Sequence, residues 1–282
     1  MIKFLSSIFV FFLILGLSLS THALSVDAVE KYGKTEDYYW QVENKETRVN
    51  EQEPSKSSPF NRQVSLAVTI SGGVSLGAYQ AGYLYYLTET AKLNRDLFNL
   101  RLVTGASAGT INAMLTLMAM GQVDKDTSSP INSLFFKVWN EMKHNELLDV
   151  KSAPSGSLSS GRVLRQLAEL IEKEWNKGLS ADLDIVLGAS ATRLESKTLE
   201  VSEAFHVRTA EEKFVFRIQG QGKGRHPYVS NYVDPYHGFE QPLLPFSSLE
   251  DSEEKKRSDF SIIRQILFAS SAIPVVFEPQ EI

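Results

Sequence analysis

Eleven consecutive residues, Thr110 to Met120, carry no charge, and all but Thr110, Asn112 and Thr116 are apolar. A helix that is apolar all round belongs inside a protein. This segment therefore predicts a helix enclosed by other elements, with Gly121 where a stop is expected. Just before it stands Gly105-Ala106-Ser107-Ala108-Gly109, which reads as a turn. Before that, Leu100-Arg101-Leu102-Val103 suits a short strand. A strand feeding a buried helix through a turn of small residues implies an α/β domain.

The neighbouring segments agree. Val64, Leu66, Val68 and Ile70 alternate with smaller residues, as in a strand, and Ser71-Gly72-Gly73 breaks the run. A helix follows, with Leu76, Tyr79, Tyr83, Leu87 and Ala91 expected on its packed side. Gly77 and Gly82 each cost a helix about 1 kcal/mol against alanine, so close packing is expected at both. Val163, Leu164, Leu167, Leu170, Ile171 and Trp175 trace another amphipathic helix, and 184–191 and 214–218 read as strands. Residues 220–259 look irregular, and helical spacing resumes over 260–268. Strands alternating with helices predict a mainly parallel sheet. Apolar residues make up 43% of the chain and charged residues 22%, which permits a sizeable core.

The pentapeptide carries the chemistry. G-x-S-x-G between strand and helix is the pattern of a nucleophile elbow. The turn is so tight that Gly105 and Gly109, two residues either side of Ser107, must be nearly free of side chain. The following helix starts just after Ser107, so its positive end favours negative charge developing there. The second glycine turn, Ser71-Gly72-Gly73-Val74-Ser75-Leu76-Gly77, also lies between strand and helix. Its main-chain N–H groups at Gly72, Gly73 and Val74 are candidates for an oxyanion hole. It lacks the Gly-Lys-Ser/Thr ending of a nucleotide-binding loop, and the residue two after Gly72 is Val74, so no dinucleotide fingerprint forms.

These two turns in this order, with Ala269-Ser270-Ser271-Ala272-Ile273-Pro274 after them, resemble the patatin-like phospholipases. The resemblance implies a three-layer α/β/α fold with a mainly parallel central sheet, and a Ser–Asp dyad hydrolysing a lipid acyl ester. It implies no metal or organic cofactor, and a lipid or phospholipid as substrate. The family's aspartate sits in an Asp-Gly motif soon after the Ala-Ser-Ser segment. No Asp-Gly pair occurs here, so that partner of Ser107 is expected beyond Ile282, and residues 1–282 alone are expected to be inactive. Two positions depart from the family's turn: Val74 replaces a third glycine and Leu76 a basic residue. A β-branched residue at positive φ is strained, so the oxyanion hole is expected to differ in shape. The alternatives are a lipid-binding or passenger module with weak or no catalysis, and an esterase acting on soluble substrates.

Other residues carry less. His144, His206, His226 and His237 occupy no distinctive turn, and no pair has metal-ligand spacing. Asp234 precedes the Ala-Ser-Ser segment, and Asp182 and Asp184 read as capping or loop carboxylates. Tyr228, Tyr232, Tyr236, Phe239 and Phe246 crowd the irregular stretch as a core cover or a lipid-contacting flap, since aromatics suit membrane interfaces. A net charge of −5 gives no reason to expect nucleic acid, and the absence of cysteine excludes disulfides and thiolate chemistry. Lys3, the apolar run Phe4 to Leu19 and Thr21-His22-Ala23 read as a signal peptide over 1–23. A polar linker over 24–62 and the patatin-like domain over 63–282 complete the expected organisation of an exported protein.

Overall fold

The computed structural model describes residues 63–73, 76–123, 129–141, 151, 159, 161–202, 205–232, 242–272, 280 and 282. The signal segment 1–23, the linker 24–62, Val74, His144, Asp234, Tyr236, His237, Phe239, Ile273 and Pro274 lie outside these residues.

Among the described residues five strands form one sheet, in sequence order. They are β1 (Val64–Ile70), β2 (Phe98–Ala106), β3 (Asp184–Ser202), β4 (Phe205–Gln219) and β5 (Tyr228–Asn231). β1, β2 and β3 pair in parallel, and β4 runs antiparallel to both β3 and β5. The result is an α/β fold with a mixed, mostly parallel sheet, consistent with the patatin-like α/β/α architecture. The α-helices among the described residues are α1 (Gly77–Leu93), α2 (Ala108–Gly121), α3 (Leu134–Glu141), α4 (Arg162–Trp175) and α5 (Glu253–Ser271).

β2 is longer than its apolar core suggests, because a bulge corrects its alternation. Leu66 faces Leu100 while Ala67 faces Leu102, leaving Arg101 as the extra residue. Leu100 and Val103 can then both be buried, and Arg101 reaches outward to Asp184 at 3.3 Å.

Every residue of α2 is buried, as its composition requires. Its polar side chains are all paired, which removes the penalty of burying them bare. Asn112 Nδ2 donates to the Gly77 carbonyl at 2.9 Å, and Trp139 Nε1 donates to Asn112 Oδ1 at 2.7 Å. Thr116 Oγ1 donates to the Asn112 carbonyl at 2.8 Å. One amide thus ties α1 and α3 to the central helix.

α1 buries only the later part of the face expected: Ala91 is buried and Leu87 packs partly buried on the core, but Leu76, Tyr79 and Tyr83 point outward. Gly77, Ala81, Leu84, Tyr85, Thr88 and Ala91 are inside, whereas Tyr79, Tyr83 and Tyr86 are 79%, 68% and 65% exposed. The small residues win the inner face because α3 comes very close: a Cβ at Gly77 would lie 2.0 Å from the Trp139 ring. Gly82 is not explained this way, since a Cβ there meets nothing within 4 Å.

α4 packs as its spacing predicts, with Trp175 against the Phe260 ring of α5 at 5.6 Å. The stretch 220–259 is less irregular than its composition suggests. β5 crosses it, and α5 begins at Glu253, where the Ser252 hydroxyl accepts the Lys255 N–H at 3.3 Å. β3 and β4 also extend far beyond the buried cores of 184–191 and 214–218. Their outer halves form a largely exposed ribbon. On that ribbon Glu212 is buried between Arg193 at 2.5 Å and Lys197 at 3.0 Å. Burial alone would raise its pKa, but hydrogen bonds from both cations outweigh this and hold it below the ordinary value.

Candidate active site

The pentapeptide is a tighter device than a five-residue turn. Gly105 and Ala106 still belong to β2, and Ala108 and Gly109 already belong to α2. Ser107 alone makes the reversal. Its φ of 54° and ψ of −128° make it the sole non-glycine residue with positive φ among the described residues. That conformation is costly for an L-residue and persists only when its surroundings impose it.

The two glycines show what imposes it. A Cβ on Gly105 would sit 2.3 Å from the Gly109 carbonyl oxygen and 2.5 Å from the Thr110 nitrogen. A Cβ on Gly109 would sit 2.4 Å from the Ile70 oxygen and 2.6 Å from the Ser71 oxygen. The start of α2 therefore rests directly on the ends of β1 and β2, with no room for side chains between. Ser107 is left half-buried at the head of α2, where the helix dipole points positive.

The glycine turn after β1 stands beside it. A Cβ on Gly72 would lie 3.3 Å from the Ser107 Cβ and 3.0 Å from the Ala106 oxygen, so glycine permits this approach. Gly73 has a φ of 137°, which an L side chain rarely adopts. Neither the Gly72 nor the Gly73 N–H has a hydrogen-bond partner among the described residues. The turn is held from behind by Gln80, whose Nε2 donates to both the carbonyl and the hydroxyl of Ser71 at 3.2 Å. Leu76 is exposed and its N–H closes the turn onto the Gly73 carbonyl at 3.1 Å.

The Ala-Ser-Ser segment ends α5 and reaches the elbow. Ser270 Oγ accepts the Ser107 N–H at 3.0 Å, lies 2.6 Å from Thr110 Oγ1 and donates to the Ser190 carbonyl at 2.7 Å. Ser271 Oγ stands 3.5 Å from the Ser107 carbonyl. All three sequence motifs thus meet around one residue.

The acidic residues lie elsewhere. No carboxylate among the described residues hydrogen-bonds Ser107. Asp184 opens β3, six positions before the Ser190 that pairs with Ala106, and both its oxygens take Arg217 at 2.6 Å. Those bonds, opposed by burial and aided by Arg101, lower its pKa. Asp182 is lowered first by its hydrogen bond from Ser180, with Arg95 adding to the effect at 2.9 Å. Both are structural ion pairs at the opposite end of the parallel strands from Ser107. Asp259 is buried in α5, takes the Ser247 N–H and hydroxyl at 2.9 and 2.5 Å, and has its pKa raised by burial. His206 lies on the exposed ribbon, and the His226 N–H faces Glu253 at 3.4 Å. Of the aromatic group, Phe246 packs on Phe216 at 5.5 Å as core cover, Tyr228 is half-buried in β5, and Tyr232 is exposed.

A family profile described as Patatin-like phospholipase matches residues 68–282. The chain belongs to the patatin-like phospholipase family. That places this patatin-like protein among the lipid acyl hydrolases as a class. No curated protein and no solved structure matches it. Within the patatin-like domain, sequence reasoning missed Gln80 and Asn112, which brace the glycine turn and α1, because a lone polar residue in a helix gives no spacing signal.

Proposed function

We propose that this protein hydrolyses acyl esters of glycerophospholipids, with Ser107 as nucleophile, acting in lipid breakdown. The observation that carries the reading is the strained backbone of Ser107 facing a glycine turn whose two N–H groups have no partner among the described residues. Ser107 Oγ attacks the ester carbonyl and gives its proton to a base. The carbonyl oxygen becomes an oxyanion and takes hydrogen bonds from the main chain of Gly72, Gly73 and Val74. The intermediate collapses to an acyl-enzyme, and the departing alcohol takes the proton back from the base. Water activated by the same base then releases the fatty acid. The base in this reading is an aspartate, as the family's Asp-Gly motif supplies it.

A lipid aggregate is favoured over soluble esters by the surface beside the turn. Leu76, Tyr79, Tyr83 and Tyr86 are exposed one after another along the outside of α1, and aromatic side chains suit a lipid–water boundary. The apolar amino-terminal run supports export. Leu76 in place of a basic residue favours the second reading, a lipid-binding module of little activity. The full-length protein decides between them on phosphatidylcholine vesicles. Fatty-acid release that is lost in Ser107→Ala supports the enzyme, and vesicle binding without release by the wild type supports the module.

A further inference from the structure

Ser270 holds a position that packing alone does not explain. It is buried at the end of α5, 163 residues from Ser107 in sequence, yet its hydroxyl touches three separate elements of the elbow. A hydroxyl has one proton to donate and two lone pairs to accept with. The Ser190 carbonyl can only accept, so the Ser270 proton goes there. The Ser107 N–H then occupies one lone pair. The Thr110 hydroxyl donates to the other, across 2.6 Å. The hydroxyl is saturated, and its three partners are Ser190 within β3, the elbow itself and the first turn of α2.

The Ser107 N–H is a particular group to hold. It precedes α2 and so has no acceptor within that helix. In serine proteases the nucleophile's own N–H serves as one oxyanion donor. Here that N–H is directed to Ser270 Oγ and is not available to an oxyanion, which leaves the glycine turn to supply the donors. The same bond fixes the peptide plane at the residue with φ of 54°. It therefore sets where Ser107 Oγ points relative to Gly72 and Gly73.

We propose that Ser270 is the positioning residue of the nucleophile elbow: its hydroxyl locks Ser107 in the strained conformation and takes the Ser107 N–H out of the oxyanion hole. The proposal rests on Ser107 being the nucleophile. Removing the hydroxyl leaves the Ser107 N–H and the Thr110 hydroxyl without their acceptor, and frees the elbow to relax. A displacement of about 1 Å at a reacting group can cost roughly a hundredfold in rate.

The test measures inactivation of the full-length protein by a fluorophosphonate, separating the maximal rate of labelling, kinact, from the affinity, KI. Ser270→Ala is expected to lower kinact between about tenfold and a hundredfold, with KI unchanged. Thr116→Val is the matched control, because it deletes another buried hydroxyl bond in α2, that to the Asn112 carbonyl, away from the elbow. It is expected to lower the melting temperature and leave kinact at the wild-type value. If Ser270→Ala is not recovered folded, Ser270→Cys keeps the size with only a weak acceptor and is expected to show the slowed kinact. Wild-type kinact in Ser270→Ala or Ser270→Cys overturns the proposal, as does a loss in Thr116→Val proportionate to its lost stability. No labelling of the wild type, or labelling that survives Ser107→Ala, overturns the nucleophile assignment and this proposal together. A labelled wild type with an unaffected Ser270→Ala overturns this proposal alone.

Discussion

Replacing Gly109 by alanine adds one methyl group at the point where α2 rests on β1. That methyl would lie 2.4 Å from the Ile70 oxygen, 2.6 Å from the Ser71 oxygen and 3.0 Å from the Ile70 carbonyl carbon. All three are main-chain atoms at the end of a strand paired in register with β2, Ile70 opposite Gly105, so no side chain can swing aside. Non-bonded heavy atoms settle near 3.5 Å, which requires α2 and the end of β1 to separate by roughly 1 Å. Overpacking of this kind costs about 1–3 kcal/mol, and rigid neighbours put Gly109→Ala at about 3 kcal/mol. For a domain of this size that corresponds to a fall in Tm of about 6–12 °C. The separation also carries the glycine turn away from Ser107, so phosphonate labelling of the folded variant falls by roughly a hundredfold. Urea unfolding followed by circular dichroism reads the first effect, and labelling in native buffer reads the second. Gly82→Ala is the internal control. Its methyl meets nothing within 4 Å, so it should gain up to about 1 kcal/mol from helix propensity. A wild-type urea midpoint and labelling rate in Gly109→Ala would refute the argument that steric contact shapes the elbow.

Three further outcomes follow from the packing and the charges. Asn112→Ala strands the Trp139 indole N–H and removes the bond to the Gly77 carbonyl, and should cost about 1–3 kcal/mol in urea unfolding; a loss below about 1 kcal/mol would remove Asn112 as the tie between α1 and α3. Asp259 has its folded pKa raised above 3.8 by burial, partly opposed by Ser247 and Lys255. Its contribution to stability is complete below pH 3.8 and is lost as the pH rises through the folded value. The stability difference between wild type and Asp259→Asn should therefore shrink from pH 3.8 upward, and a difference that grows with pH contradicts the assignment. The double variant Tyr79→Ser with Tyr83→Ser should reduce hydrolysis of phosphatidylcholine vesicles more than that of a short-chain ester; equal losses on both would remove the lipid-contact role of α1.

The elbow was legible because sterics leave few ways to write it. Small residues at 105, 106, 108 and 109 next to an uncharged, mostly apolar helix admit one arrangement, and the strand before them needed only short apolar runs. The face of α1 was legible only at Leu87 and Ala91. Its tyrosines are the largest apolar groups in the helix, and hydrophobic periodicity favours them for the core. What decides the face is the approach of Trp139 to Gly77, a contact between segments 62 positions apart in sequence. The outer halves of β3 and β4 were missed for another reason. Arg193, Glu195, Lys197, Arg208 and Glu211 give the ribbon a solvated composition, and its strand character comes from cross-strand pairing, with Lys197 opposite Thr209 and Thr198 opposite Arg208. The Ala-Ser-Ser segment was recognised as a pattern, but its meaning lies in hydrogen bonds to Ser107, Thr110 and Ser190, which no single stretch of sequence contains.

The central claim is that a hydroxyl on a one-residue bend, set against the main-chain donors of a glycine turn, attacks lipid esters. Peptide mapping by mass spectrometry of the full-length protein after treatment with a fluorophosphonate addresses it most directly. One phosphonyl adduct on the peptide containing Gly105-Ala106-Ser107-Ala108-Gly109, localised to Ser107, is the result expected. An adduct on any other serine, with Ser107 unmodified, would contradict it.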